Sequence, residues 1–113
     1  MSDINSLEKL NLKNLKELDL EENFISDISV FVKVNFDKLE KLDLSRNKIS
    51  DINILEKVNF PELKELKITE NQITNINVLE KVNFKNLKVL DLSMNKLSTS
   101  AYSKMLLLKN WRN

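Results

Sequence analysis

Paired carboxylates are the residues in this chain with the best claim to chemistry. Asp19 and Asp43 sit 24 residues apart in the same Leu-Asp-Leu context. Two carboxyl groups held together in a buried pocket can divide the work of general acid and general base. Nothing around them builds such a pocket, so a solvated acidic face is the stronger reading. Ser45 and Ser93 could serve as nucleophiles only beside a base, and the chain has no histidine. Without cysteine there is no thiolate nucleophile, disulfide framework or thiolate metal site. Without glycine there is no Gly-rich phosphate loop. Lys9, Lys33, Lys57 and Lys81 recur as a basic column, but Glu8, Glu56 and Glu80 stand next to three of them, which favours local neutralisation. The expectation is a protein that is not an enzyme, with no catalytic residues, no metal and no cofactor.

What must position these residues is a repeat. Residues 39–62 read LEKLDLSRNKISDINILEKVNFPE and residues 63–86 read LKELKITENQITNINVLEKVNFKN, with half of the 24 positions identical. The same unit starts at Leu15 and again at Leu87. A fixed period of this length signals a stacked array in which each unit buries its apolar side against its neighbours. The chain of 113 residues divides into a half-repeat (1–14), three full repeats (15–38, 39–62, 63–86), a partial repeat (87–97) and a tail (98–113), all within one domain.

Each unit has two halves with different logic. In the first, Leu18 and Leu20 alternate with Glu17, Asp19 and Glu21, the period of a short strand of about five residues. Equal spacing makes the strands parallel, joined by crossovers of one sense. The strand stops at Asn23, Asn47, Asn71 or Asn95. An amide there carries donors and an acceptor for backbone groups left buried by the inward bend, so this column is expected to be a structural ladder. In the second half, Asn5, Ser29, Asn53 and Asn77 are good helix N-caps, with Glu8, Glu56 and Glu80 three residues on as capping boxes. Short turns are expected over 30–34, 54–58 and 78–82. Phe31, Leu55 and Leu79 should face inward, followed by an aromatic spine of Phe36, Phe60 and Phe84, with Leu12 at the matching place in the half-repeat. A second column, Asn35, Asn59 and Asn83, has the composition of a turn. The lack of glycine argues against tight positive-φ turns. The tail, opening with Ser98, reads as a capped amphipathic helix that places Tyr102, Met105, Leu106 and one of Leu108 or Trp111 on the last coil as a lid.

The motif L-x-x-L-x-[LI]-x-x-N-x-I-x-x-I is carried by Leu15, Leu18, Leu20, Asn23, Ile25 and Ile28, again from Leu39 and from Leu63, and partly from Leu87. It resembles the leucine-rich repeat family over residues 3–97. The spacing is similar to the phosphatase-regulator subtype of intracellular members, lengthened by Asn-Phe. The resemblance implies an α/β right-handed solenoid with about four parallel strands on the concave face. Short helical turns would form the convex face, with a helical cap at the C-terminal end. It also implies protein–protein binding through the concave face.

On that face the outward positions are Glu17, Asp19 and Glu21; Lys41, Asp43 and Ser45; Glu65, Lys67 and Thr69; and Val89, Asp91 and Ser93. Glu22, Arg46, Glu70 and Met94 form the rim. Six acids against two lysines stand on a chain of net charge +1, so the partner is expected to be another protein with a basic surface. Arg46, Met94 and Val89 are the anchors that composition favours. Asp19 beside Asp43 puts like charges together with no evident structural use, which points to function. The near-balanced charge argues against nucleic acid. No apolar run is long enough for a membrane span, and the opening MSDINSLEKL lacks the marks of a secretory signal. The expectation is a cytoplasmic, intracellular module, monomeric or weakly self-associating. The alternative is a designed or excised scaffold fragment with no partner of its own.

Overall fold

The alternating segments form strands where the pattern places them, but three residues long rather than about five: β1 (Glu17–Asp19), β2 (Lys41–Asp43), β3 (Glu65–Lys67) and β4 (Val89–Asp91). The computed structural model describes residues 3–108 and, within the last helix, the side chains of residues 99–101, 103 and 104. The four strands make one parallel sheet in chain order. Their register is the repeat itself: Glu17 lies opposite Lys41, Leu18 opposite Leu42 and Asp19 opposite Asp43, and the same step joins the later strands. In three of the four the aspartate that closes the strand folds back on the chain, while β3, which ends at Lys67, is equally short. Oδ1 of Asp19, Asp43 and Asp91 accepts the N–H of Glu21, Ser45 and Ser93 at 2.9–3.0 Å. An Asx turn of this kind takes the backbone out of the extended state.

Alternation buries one side of the sheet. Leu39, Leu42, Leu44, Ile49, Ile52, Leu55 and Phe60 form the middle layer and are almost wholly shielded from water. Phe36, Phe60 and Phe84 stack as the column predicts, with ring centroids 5.4 and 6.1 Å apart. Phe31 joins them edge-on, 5.8 Å from Phe36. Such tilted contacts suit the ring quadrupole and add to the area buried.

The second half of each unit forms a 3₁₀ turn: Asn5–Lys9, Ser29–Lys33, Asn53–Glu56 and Asn77–Glu80. Here the expected capping is corrected. Asn5, Ser29, Asn53 and Asn77 are the first helical residues, and the residues before them (Ile4, Ile28, Ile52 and Ile76) make no side-chain cap. The side chain two places ahead of each turn does the work. Asp3, Asp27, Asp51 and Asn75 accept the N–H of Asn5, Ser29, Asn53 and Asn77, each at 2.9 Å. The N–H of Ser29, then its hydroxyl, holds the Asp27 carboxyl below its usual range. In the second Asn column Asn35 has the same role, since its Oδ1 accepts the Asp37 N–H at 3.0 Å, while Pro61 offers Asn59 no such donor.

The absence of glycine does not exclude left-handed backbone. Glu22, Arg46, Glu70 and Met94, each just before the ladder Asn, have φ of 49–60°, and Phe24 has φ of 58°. The stack needs this bend at every strand end, and ordinary residues are held in it at a local cost.

After β4 the chain enters α1 (Thr99–Leu108). The Ser98 hydroxyl accepts the Ala101 N–H at 3.1 Å, as its cap reading requires. Ala101 packs against the core, and Lys104 Nζ reaches Glu80 at 2.7 Å, which pins the helix to the last 3₁₀ turn. The expected inward positions Tyr102, Met105, Leu106, Leu108 and Trp111 lie outside the described side chains. Among the described residues no helix is long and apolar enough to cross a membrane.

Candidate functional site

The strand face is held in place by the Asn ladder. Asn47 Oδ1 accepts the N–H of both Asn23 and Ile25 at 2.9 Å, and its Nδ2 donates to the carbonyls of Leu20, Leu44 and Ser45 at 3.0–3.1 Å. Asn71 and Asn95 do the same for the coil before each, through Ile49 and Ile73 N–H and the carbonyls of Leu44 and Ile68. Asn47 and Asn71 are buried, while Asn23 and Asn95 at the ends are half-buried. The column is structural, as its flanking Leu and Ile predict.

With the ladder fixed, the outward positions share one surface. A shallow open hollow of about 230 Å³ lies over β1 to β3, lined chiefly by Glu17, Asp19, Lys41, Asp43, Glu65 and Lys67. Glu17, Asp19, Glu21, Lys41, Arg46, Lys67 and Met94 are exposed, and Asp43, Glu65, Thr69, Val89, Asp91 and Ser93 are half-buried. Ser45 is the exception among the residues expected there. It is buried, and its Oγ accepts the Thr69 N–H at 3.3 Å, because the next coil closes over so short a side chain. Arg46 is exposed but engaged, with Nη2 2.8 Å from Glu22 and Nε 3.7 Å from Glu70. Lys41 Nζ lies 3.6 Å from Glu17. These pairs are solvated and each contributes little to stability. What they do is remove three acids, Glu17, Glu22 and Glu70, from the free negative charge of the face and rim.

Glu65 and Asp91 remain, and so does a group of three, Asp19, Glu21 and Asp43. Each of the three offers a carboxylate oxygen within 4.8 Å of the others. Among the described residues no cation lies within ion-pair distance of them. The sequence reading found no structural use for Asp19 beside Asp43, and the Asx turns correct it: both carboxylates close strand ends. None of the three is buried, so they form a negative patch rather than a closed cage of oxygen ligands. One exposed feature went unread in the sequence. Phe24 is 66% exposed, with Lys48 Nζ 5.7 Å from its ring centroid. Its signal was available, since the equivalent positions are Lys48, Gln72 and Lys96.

A family model described as "Leucine rich repeat" matches residues 13–73, and a second of the same description matches residues 86–104. The chain belongs to the leucine-rich repeat family. Among solved structures, this leucine-rich repeat chain is similar to an internalin (inlF) from Listeria monocytogenes str. 4b F2365. That match has a TM-score of 0.77 and 31% identity, over 98% of this chain and 30% of that one. It is also similar to internalin C2 (inlC2) from the same strain, with a TM-score of 0.74 and 28% identity, over 97% of this chain and 44% of that one. This leucine-rich repeat chain thus spans less than half of either internalin. These matches bear on family and fold and do not reach the phosphatase-regulator subtype. No curated protein sequence matches the chain.

Proposed function

We propose that this chain is a non-catalytic interaction module that engages a protein partner with a basic surface through the strand face. The observation that carries the reading is the division of charge on that face. Lys41 and Arg46 pair with acids of the same surface, while Asp19, Glu21 and Asp43 face solvent without a cation among the described residues. Like charges this close are unfavourable in the free protein, and a basic partner relieves them on binding. The leucine-rich repeat family supports the coarser part of the reading, an interaction module.

The test must leave the Asx turns intact. Asp19→Asn and Asp43→Asn keep the side-chain oxygen that accepts the backbone N–H and remove only the charge. Affinity capture with the native chain is expected to enrich basic proteins whose on-rate falls as ionic strength rises. The doubly substituted chain is expected to lose both the enrichment and the salt slope. Capture of the same proteins by both chains would overturn the reading. The alternative, an array segment with no partner of its own, is supported by the near-identical repeats. It expects no difference between the two chains because neither captures anything specific.

A further inference from the structure

The convex side carries one hollow in two copies, and the chain itself fills only one of them. Between the 3₁₀ turns Ser29–Lys33 and Asn53–Glu56 lies an open space of about 450 Å³, lined in part by Ser29, Asn53, Ile54, Glu56 and Lys57. A step of 24 residues leads to a second space of about 470 Å³, lined by Asn53, Asn77, Val78, Glu80 and Lys81. Ile54 stands in the first where Val78 stands in the second, and Glu56 where Glu80 stands. Each space lies between two full repeats, with a coil on either side.

The second hollow has an occupant. Lys104 of α1 lines it, with Nζ 2.7 Å from Glu80. Ala101, one helical turn earlier on the same face, packs against the core beside Ile76. Charge is balanced there, with Glu56 and Glu80 against Lys81 and Lys104. The first hollow is different. Asp27 and Asp51 line it together with Glu56, so three acids face one base, Lys57. Among the described residues no cation lies within ion-pair distance of Glu56. Its apolar floor is also less covered. Ile54 is half-buried, whereas Val30 and Val78 at the same place in their coils are 3% and 4% exposed.

We propose that the first hollow receives a helix of a partner protein that carries a small residue and, three places on, a lysine. The lysine stem lies over Ile54 and its ammonium meets Glu56, as Lys104 meets Glu80. The small residue lets this helix approach as closely as Ala101 lets α1 approach. Charge selects the occupant, since the excess of acid in this hollow calls for a base, and the half-buried isoleucine calls for an apolar stem behind it. A second copy of this chain fits less well. Its α1 offers the same pair, but that helix is already held by its own Glu80, and freeing it gives up the contact that would be gained. This inference concerns the convex side and does not depend on the strand face binding anything.

The probe is a blocked helical peptide of about fifteen residues, rich in alanine and glutamine with one central lysine, added to the full chain. The resonances of Ile54 and Glu56 are expected to move, and those of the strand face are not. Glu56→Gln, a change at an exposed residue, is expected to weaken binding about fivefold. A peptide with norleucine for lysine keeps the stem and loses the charge, and it is expected to bind the native chain no better than the lysine peptide binds Glu56→Gln. Lys104→Ala vacates the second hollow, so the peptide is then expected to move Val78 as well. Equal binding of the lysine and norleucine peptides would overturn the proposal. So would the absence of binding, movement at the strand face in place of Ile54, or a Val78 that stays unmoved in Lys104→Ala. A fall in the Tm of the free chain as large in Glu56→Gln as in Lys104→Ala would assign the hollow to this chain's own residues. A dimer in sedimentation that Glu56→Gln dissolves would assign it to a second copy, and either result would overturn the proposal equally.

Discussion

Replacing Asn47 by leucine removes one side chain that serves five backbone groups. Two of them have a second partner. The Leu44 carbonyl keeps Asn71 Nδ2 at 3.0 Å, and the Ser45 carbonyl keeps the Glu22 N–H at 3.1 Å. The Asn23 N–H lies at a half-buried residue, where water can partly take over. The Leu20 carbonyl and the Ile25 N–H belong to buried residues and lose the partner they have here. A buried polar group left unpaired costs about 1–3 kcal/mol, so two of them give about 3–5 kcal/mol, a large share of what holds a small domain folded. Asn71→Leu should cost less. The Thr69 carbonyl keeps the Arg46 N–H at 2.8 Å and the Leu44 carbonyl keeps Asn47, which leaves the Ile49 N–H stranded, at about 1–3 kcal/mol. Urea unfolding followed by far-ultraviolet circular dichroism measures both against the native chain, with the slope m as the check that the unfolded states match. The expected order is Asn47→Leu worse than Asn71→Leu by about 1–2 kcal/mol. Equal losses, or a loss below about 1 kcal/mol at Asn47, would refute the bond-by-bond reasoning.

Two further outcomes follow from features at the strand ends and the cap. Met94 holds φ of 58° while 71% exposed, so Met94→Gly should relieve backbone strain. Gly gains freedom in the unfolded chain, which offsets part of this, and the net gain should be about 0.5 kcal/mol, seen as a slightly higher Tm. A fall in Tm would mean the bend carries no strain. The hydrogen bond from Lys104, then its charge, holds the Glu80 carboxyl below its ordinary value of 4.5. A lowered folded-state value contributes stability above the ordinary value that is lost as the pH falls through the lowered one, so the hold on α1 weakens below about pH 4.5. Carbon-detected titration of Glu80 should show a higher midpoint in Lys104→Ala than in the native chain, and coincident midpoints would count against the contact.

The parts of the fold set by apolar spacing could be read from the sequence, because burial dictates them directly. Leu18 and Leu20 with their copies gave the sheet and its register, and the Phe36, Phe60 and Phe84 column gave the stack. The ladder Asn could be read for a related reason: an amide amid buried Leu and Ile has little else to do. Local turn chemistry was harder, since Asp, Asn and Ser all accept backbone N–H groups and their spacing to the turn differs by two residues between an Asx turn and a capping box. Asp27 rather than Ser29 was therefore the missed cap. The left-handed residues were hidden because the expected signal is glycine, and Glu22, Arg46, Glu70 and Met94 are not residue types that favour that backbone. Ser45 was misplaced because strand alternation assigns a side but not how far the next coil leans over it.

The Asn ladder also gives the stack a direction. Asn47, Asn71 and Asn95 each reach back, so each of the first three strand ends is completed by the coil made after it. A ribosome delivers the earlier coil first. A growing chain of this design therefore always carries one newest coil whose bend is still unfinished, and each new amide releases its predecessor from that state. Loss of material from the two ends is correspondingly unequal. Trimming the first coil takes away groups that Asn47 serves, whereas trimming the last takes away the amide on which the coil before it relies.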